Sequence, residues 1–196
     1  MSNLFQTLEY EAFRAGITPR TQQSREWFRT KLTSIKQVNR GQLMKEDPLI
    51  LSNRQVVGGM YHFFYNPKHK DTLPYYDRFP LVIVIGPADG GFLGLNLHYL
   101  PPVLRAKFLD ALLDVTNNKR YDETTKFKLS YNLLQRAAKT KYYKACIKHY
   151  LSDHVASRFA RIPAPEWEIA VFLPTSDFAG ARKGKVYSDS RRKING

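Results

Sequence analysis

The chain contains three segments in which apolar residues recur every three or four positions, as they do along one side of a helix. One follows Thr18-Pro19, where threonine can cap a helix and proline suits its first turn. Another begins at Pro101-Pro102. A third is predicted from Thr124 or Ser130 to Leu151, with a cationic outer side. The predicted buried stripes of the first two helices are Phe28, Leu32 and Ile35, and Leu104, Phe108, Ala111, Leu112 and Val115.

Other segments have the pattern of strands. Residues 60–65 are rich in aromatic side chains, residues 81–85 are continuously apolar, and residues 93–99 alternate between apolar and polar. The turn at 86–91 predicts that the last two strands form an antiparallel hairpin. A fourth strand is predicted at 167–173, where Trp167, Ile169, Val171 and Leu173 occupy alternate positions.

Together these elements predict an α+β fold. We expect a small, bent antiparallel sheet or a partly open SH3-like barrel, flanked by about three helices, with basic N- and C-terminal arms. The predicted division is an N-terminal helical arm (1–55), a core domain (56–178) and a basic tail (179–196). The tail has few apolar residues, so we expect it to be flexible unless a partner orders it.

Charge changes this picture, because the surplus of cations is large and unevenly placed. The 196 residues contain 31 Lys and Arg against 17 Asp and Glu, a formal net charge of +14. Residues 1–45, 119–149 and 182–196 carry the surplus, whereas residues 46–118 are close to neutral. Segregated positive charge is the electrostatic footprint of a protein that binds a polyanion such as nucleic acid. A basic surface that contacts acidic proteins is the alternative that this distribution leaves open.

Composition excludes several other classes. With 43% hydrophobic residues, the chain has enough apolar material for a folded core. The longest purely apolar run, residues 81–85, is far shorter than the roughly 20 residues that cross a bilayer. Residues 1–10 lack the pattern of a signal peptide. We therefore expect no membrane partner and no secretion.

Few residues suggest catalysis or metal binding. Asp77 and His98 could form a nuclease-like pair, but the favoured interpretation is that His98 and Asn96 form hydrogen bonds at a strand end and hold the loop above them. Cys146, the only cysteine, is interpreted as a buried structural residue. The histidine spacings fit no metal site, and the glycines at 90–94 lack the pattern of a phosphate-binding loop. We predict no catalytic residue, no metal and no cofactor.

The loop 66–80 combines basic residues, paired tyrosines and three prolines, which is unusual for a connecting segment. Tyrosines beside lysines can stack on bases or contact a partner protein. The alternative is a rigid structural lid. Phe79 is predicted to be in the core, and the candidate contact residues are Lys68, Lys70, Tyr75 and Tyr76.

The segment YHFFYNPKHKDTLPYYDRFPLVIVIGPADGGFLGLNLHYLPP (61–102), its continuation VLRAKFLDALLD and the tail element VYSDSRRK resemble virion proteins of large contractile-tailed bacteriophages. The resemblance covers about half of the chain and brings no catalytic signature. It implies a structural component of the phage particle, of the kind found among DNA end protectors, neck proteins and baseplate proteins.

The leading hypothesis is a non-enzymatic virion protein of the tail, neck or baseplate, whose basic arms bind neighbouring proteins in a symmetric assembly. The alternatives are a protein that contacts or protects the ends of packaged double-stranded DNA, and a nuclease-like hydrolase. We expect deletion of residues 180–196 to leave the fold intact but to abolish incorporation into particles. The predicted partner- or DNA-binding residues are Arg136, Lys139, Lys144, Lys148, Arg182, Lys183, Lys185, Arg191, Arg192 and Lys193.

Overall fold

The computed structural model describes residues 3–196, with the backbone alone at positions 123, 127 and 142. It has the predicted α+β architecture, with more helices than the three expected. The helices are α1 (Leu4–Arg14), α2 (Gln22–Leu32), α3 (Arg40–Leu43), α4 (Pro102–Thr116), α5 (Glu123–Lys139), α6 (Trp167–Ala170) and α7 (Lys183–Asn195). The strands are β1 (Ile50–Ser52), β2 (Met60–His62), β3 (Tyr76–Asp77), β4 (Leu81–Ala88), β5 (Gly91–Asn96), β6 (Ile147–Leu151), β7 (Phe159–Ile162) and β8 (Phe178–Ala179).

Six strands form one antiparallel sheet in the order β1-β7-β2-β4-β5-β6, while β3 and β8 pair separately. Because β1 and β6 are its two edges, the sheet is not closed into a barrel, and the SH3-like alternative is not formed. β4 and β5 form the predicted hairpin. Close packing requires two of its glycines, since a Cβ on Gly91 would lie 1.9 Å from the Tyr150 carbonyl oxygen and one on Gly94 would lie 2.2 Å from Val82 Cγ1.

The two faces of the sheet bury different kinds of side chain. On one face Met60, Ile83 and Leu95 belong to a large apolar core that includes residues of α1, α2 and α4. The other face carries a cluster of aromatic rings that contact one another edge to face, the arrangement that aromatic pairs prefer. This aromatic cluster consists of Tyr61, Phe63, Tyr65, Phe92, Tyr150 and Phe159, with Val82 and Val84.

α2 and α4 confirm two of the predicted helices, with differences in detail. α2 begins later than predicted because Thr21, and not Thr18, caps it: the Thr21 hydroxyl accepts a hydrogen bond from the Ser24 N–H at 3.1 Å. In α4, Phe108 is buried as predicted, whereas Ala111 of the predicted stripe is exposed. Both helices nevertheless bury one side in the large core.

The third predicted helix ends earlier in the structure than the sequence pattern predicts. α5 ends at Lys139, a short 3-10 turn follows at Lys141–Tyr143, and residues 147–151 form the edge strand β6. The prediction was wrong for 147–151 because antiparallel pairing with β5 places Ile147 against the large core and Tyr150 in the aromatic cluster. Pairing across a sheet involves residues distant in sequence, so the local helical period did not reveal it.

The prediction of a fourth strand at 167–173 was also wrong. Residues 167–170 form the short helix α6, and the strand β7 lies just before it. Trp167, Glu168, Ile169 and Ala170 are all buried. A short helix that is enclosed on every side needs no polar side, so its apolar residues matched a strand pattern equally well.

The C-terminal segment, expected to be a flexible tail, forms α7 instead. Val186 and Ser190 are buried, and the Tyr187 hydroxyl accepts a hydrogen bond of 2.8 Å from the buried Arg105 guanidinium. The sequence pattern missed this helix because few of its residues are apolar. Deletion of 180–196 would remove Val186 from the large core and the Tyr187–Arg105 hydrogen bond, so the structure leads us to expect that the deletion destabilises the fold.

The N-terminal helices also contribute to the large core, through Phe5 and Leu8 of α1 and Phe28 and Leu32 of α2. The domain boundaries at residues 55 and 179 stay a prediction. In the part of the chain that the structure describes, no helix has the length and apolar character needed to span a bilayer.

Candidate functional site

The loop 66–80 and the edge strand β6 line a cavity of about 430 Å³, which we call the tyrosine pocket. Its walls are largely aromatic and carry several basic groups. The tyrosines that line it are Tyr65, Tyr75, Tyr76, Tyr99 and Tyr150. The basic side chains that line it are Lys68, His69, Lys148 and His149. Such a cavity suits a planar group that also carries negative charge.

A second concave surface, of about 700 Å³, lies between the end of α5, β6 and α7, and we call it the lysine groove. Lysines from two separate parts of the chain, the run 139–148 and α7, converge on it: Lys139, Lys141, Lys144, Lys148 and Lys193. No acidic residue is among the described residues that line it. The groove therefore concentrates positive charge where a polyanion could lie.

Lys148 lines both the tyrosine pocket and the lysine groove, so it marks the place where they meet. Its Nζ lies 4.0 Å from the centre of the Tyr99 ring, a cation–π contact. Burial, together with the positive charge of Lys193, lowers the pKa of Lys148 to about 8. Within the described residues, Lys148 forms no salt bridge with a carboxylate.

The register of β6 explains this position. Alternate residues of a strand share a face, so Lys148 lies on the same face as Tyr150 of the aromatic cluster. Gly94 of β5 is the register partner of Lys148. A Cβ at Gly94 would lie 3.3 Å from the Tyr150 ring and 2.2 Å from Val82, so glycine is needed where β5 passes these side chains.

α7 lies beside Tyr75, one of the tyrosines that line the pocket. Burial of the Tyr75 hydroxyl, together with the nearby Asp189 carboxylate of α7, raises the pKa of Tyr75. The Tyr75 ring packs against Tyr99 and Phe178. The loop 66–80 is therefore held against the body of the protein from several directions.

A network of buried polar groups lies beneath the pocket. His98 Nδ1 donates a hydrogen bond of 2.6 Å to Asp77 Oδ2, and His98 Nε2 accepts one of 3.0 Å from the Thr175 hydroxyl. Asn96 Nδ2 donates to Asp77 Oδ2 and to the Tyr150 hydroxyl, both at 3.1 Å. This network joins β3, β5 and the segment before β8.

The polar groups of His98 and Asp77 have their hydrogen-bond partners inside the protein, and neither side chain is exposed to solvent. The side chains of His98 and Asp77 are 0% and 1% exposed. Burial lowers the pKa of His98, which favours the neutral ring, although the Asp77 carboxylate acts in the opposite direction. Asn96 Oδ1 accepts a hydrogen bond from the His98 backbone N–H, as in the predicted strand-end arrangement. The geometry supports the interpretation that these residues hold the loop.

The predicted contact residues divide into two groups. Lys139, Lys144, Lys148 and Lys193 come together in the lysine groove, although Lys144 and Lys148 lie outside α5 rather than on it. From the loop, Lys68, Tyr75 and Tyr76 line the tyrosine pocket, whereas Lys70 is exposed and does not.

The remaining predicted residues do not line either cavity. Arg136 is exposed on α5, and Arg182, Lys183 and Arg191 are exposed on or just before α7. Lys185 and Arg192 both form salt bridges with Asp189 on their own helix. The positive charge of α7 is thus partly neutralised by its own carboxylate.

Four residues that line the two cavities were not predicted from the sequence: Lys141, Tyr65, Tyr99 and Tyr150. Lys141 stands in the lysine-rich run 139–148, so its position between two predicted contacts was a usable signal. The tyrosines carried no such signal, because three distant segments bring them together. Two structural predictions are confirmed, since Phe79 and Cys146 are both fully buried. Burial also raises the pKa of the Cys146 thiol to about 12.

The chain is thus an α+β protein in which a cationic groove meets an aromatic pocket. In the described part of the chain, no cluster of three or more His, Cys, Asp or Glu side chains could hold a metal ion. The model of the phage T4 terminal DNA protecting protein family matches residues 3–195. Because this match covers nearly the whole sequence, the chain belongs to that family.

The family match confirms the resemblance to phage virion proteins and selects the DNA end protectors among them. A comparison with curated proteins found no match to the chain, and a comparison with solved structures found none either.

Proposed function

We propose that this chain binds the ends of phage DNA and shields them, as a non-enzymatic protein of the virion. The observation that carries the proposal is the meeting of the lysine groove and the tyrosine pocket at Lys148, in a family described by DNA protection. Its partners would be double-stranded DNA and neighbouring virion proteins.

The lysine groove has the properties that a phosphate backbone requires. Duplex DNA carries one negative charge per roughly 1.7 Å of its axis, and proteins that neutralise phosphates bind it with strong salt dependence. Phosphate contacts position a protein on DNA without reading its sequence. A protein that shields ends irrespective of sequence needs contacts of this kind.

The test compares two duplexes of the same sequence, one with open ends and one closed by hairpin loops at both ends. We expect tighter binding to the open duplex, binding that weakens strongly as salt rises, and slower digestion of the open duplex by an added exonuclease. Equal affinity for the two duplexes would contradict end binding, and absence of binding at low salt would contradict DNA binding altogether.

Substitution of groove lysines sharpens this test. The double variant Lys139→Met/Lys144→Met should reduce the slope of log affinity against log salt by about 2, since each lost phosphate contact reduces it by about 1. Lys45→Met/Lys107→Met is the matched control, because these exposed lysines line neither cavity. A slope that falls equally in both variants would mean that total charge matters and the groove does not.

Binding to neighbouring virion proteins through basic arms is the second candidate function. It is favoured by α1, where Tyr10 and Phe13 are strongly exposed, and by Arg182 and Arg191 on or just before α7, which are exposed and line neither cavity. The nuclease-like alternative has less support, because the Asp77–His98 pair is enclosed in the core.

A further inference from the structure

The tyrosine pocket has the size of a site that holds one small group. Its volume of about 430 Å³ lies within the roughly 300–1,000 Å³ of small-molecule sites. Among the described residues, Asp77 and Tyr150 line it from the buried network described above, so the pocket ends against a rigid, fully hydrogen-bonded wall. A strand of DNA could enter such a pocket only by its last nucleotide or by a base rotated out of the helix.

The walls of the pocket suit a nucleobase. Tyrosine rings stack on bases irrespective of sequence, because every base has an aromatic face. Tyr75 and Tyr76 are both partly exposed and are adjacent in the chain, so part of their aromatic surface is open to a ligand. Ring contacts of Tyr75 with Tyr99 and Phe178 keep that surface in place.

Lys148 is a charged group for which a phosphate would be a suitable partner. A half-buried ammonium group normally has a carboxylate partner, because a desolvated charge without one is costly. Among the described residues, Lys148 contacts the Tyr99 ring, has no carboxylate partner and lines both the pocket and the groove. With a pKa of about 8 the group is mainly protonated at neutral pH, and a phosphate would provide the missing counter-charge.

We propose that the tyrosine pocket holds the terminal nucleotide of a DNA strand, with its base among the tyrosines and its terminal phosphate on Lys148 Nζ. The rest of the strand then follows the lysine groove, which begins at the same residue. This inference rests on the proposed function and adds to it a preference for one chemical form of the DNA end.

The experiment measures the affinity of the full chain for four forms of one duplex: a 5′-phosphate end, a 3′-phosphate end, an end with hydroxyls only, and the form closed by hairpins. We expect one of the phosphorylated ends to bind about tenfold more tightly than the hydroxyl end, the gain of one charge-assisted contact. The 5′ and 3′ forms identify which strand end enters the pocket. Equal affinity for all three open ends would overturn the inference.

Variants locate the effect. Lys148→Met should lose the preference for the phosphorylated end while still binding open duplex better than closed duplex, and Lys148→Arg should keep part of the preference. Lys107→Met, an exposed lysine that lines neither cavity, is the control and should keep both preferences. A Lys148→Met protein that still prefers the phosphate would overturn the assignment of Lys148.

Stacking has its own readout, which uses the wild-type chain. 2-Aminopurine placed as the terminal base should lose fluorescence on binding, whereas the same base placed in the middle of the duplex should not. An equal change in fluorescence on binding at both positions would contradict a base in the pocket. The proposed function fails on a different result, namely equal binding of open and closed duplexes, so the two failures can be told apart.

Discussion

Two ionisable sites lie side by side in this protein, and their contrast indicates which one is structural. The Asp77–His98 pair is fully buried, and each of its polar groups has a partner inside the protein. Lys148 is half-buried and lacks a carboxylate partner in the described structure. A satisfied network stabilises the fold, whereas a desolvated cation without a counter-charge costs free energy until a ligand supplies one.

The largest expected effect comes from breaking the satisfied network. His98→Ala leaves the Asp77 carboxylate buried without its closest partner, so we expect a loss of about 3–5 kcal/mol in the free energy of unfolding. His149→Ala, which removes an exposed ring, should change it by less than about 0.5 kcal/mol. Chemical denaturation of both variants measures the difference. Similar small effects in both would mean that the network does not hold the fold.

Acid should produce the next largest effect, through the buried His62 beside this network. Burial lowers the pKa of His62 to about 3, and His98 adds to the shift, while the unfolded chain binds the proton near pH 6.5. Stability contributed by neutral His62 is therefore complete above pH 6.5 and is lost as the pH falls from 6.5 towards 3. The expected loss is about 1.4 kcal/mol per pH unit within this window.

Denaturation at several pH values between 6 and 4 measures this slope. His62→Gln cannot be protonated in this range and retains a side chain that can donate a hydrogen bond to the Pro80 carbonyl, as His62 does. Its curve should be shallower by about 1.4 kcal/mol per pH unit. Parallel curves for the two proteins would show that His62 does not titrate on unfolding.

The smallest expected effect is on the stability of a Lys148 variant, which should rise slightly rather than fall. Because its charge is desolvated and unpaired, Lys148→Met should leave stability unchanged or raise it by about 1 kcal/mol. The measurement is the same denaturation experiment, at neutral pH and without DNA. A clear destabilisation would indicate that the Tyr99 contact makes Lys148 a structural residue and would remove the basis of the comparison.

Local patterns predicted part of this structure well. The hairpin of β4 and β5 and the helix α4 were visible because their signals, a glycine-rich turn and a double proline, are local. Elements whose form depends on distant partners were missed: β6 is a strand because β5 lies beside it, and α7 is ordered because Val186 and Tyr187 reach the core. The buried Asp77–His98 contact was considered from residue types, but its enclosure was not predictable.

The sequence by itself determined the α+β class, the surplus of positive charge and the segments that carry it, because composition and short-range periodicity depend on neighbouring residues alone. Only the tertiary structure decided that lysines from α5, the 3-10 turn, β6 and α7 share one groove, and that five tyrosines from three segments share one pocket. The physical reason is that a binding surface is built from contacts between residues far apart in the chain, and their distances are set by how the sheet and helices pack.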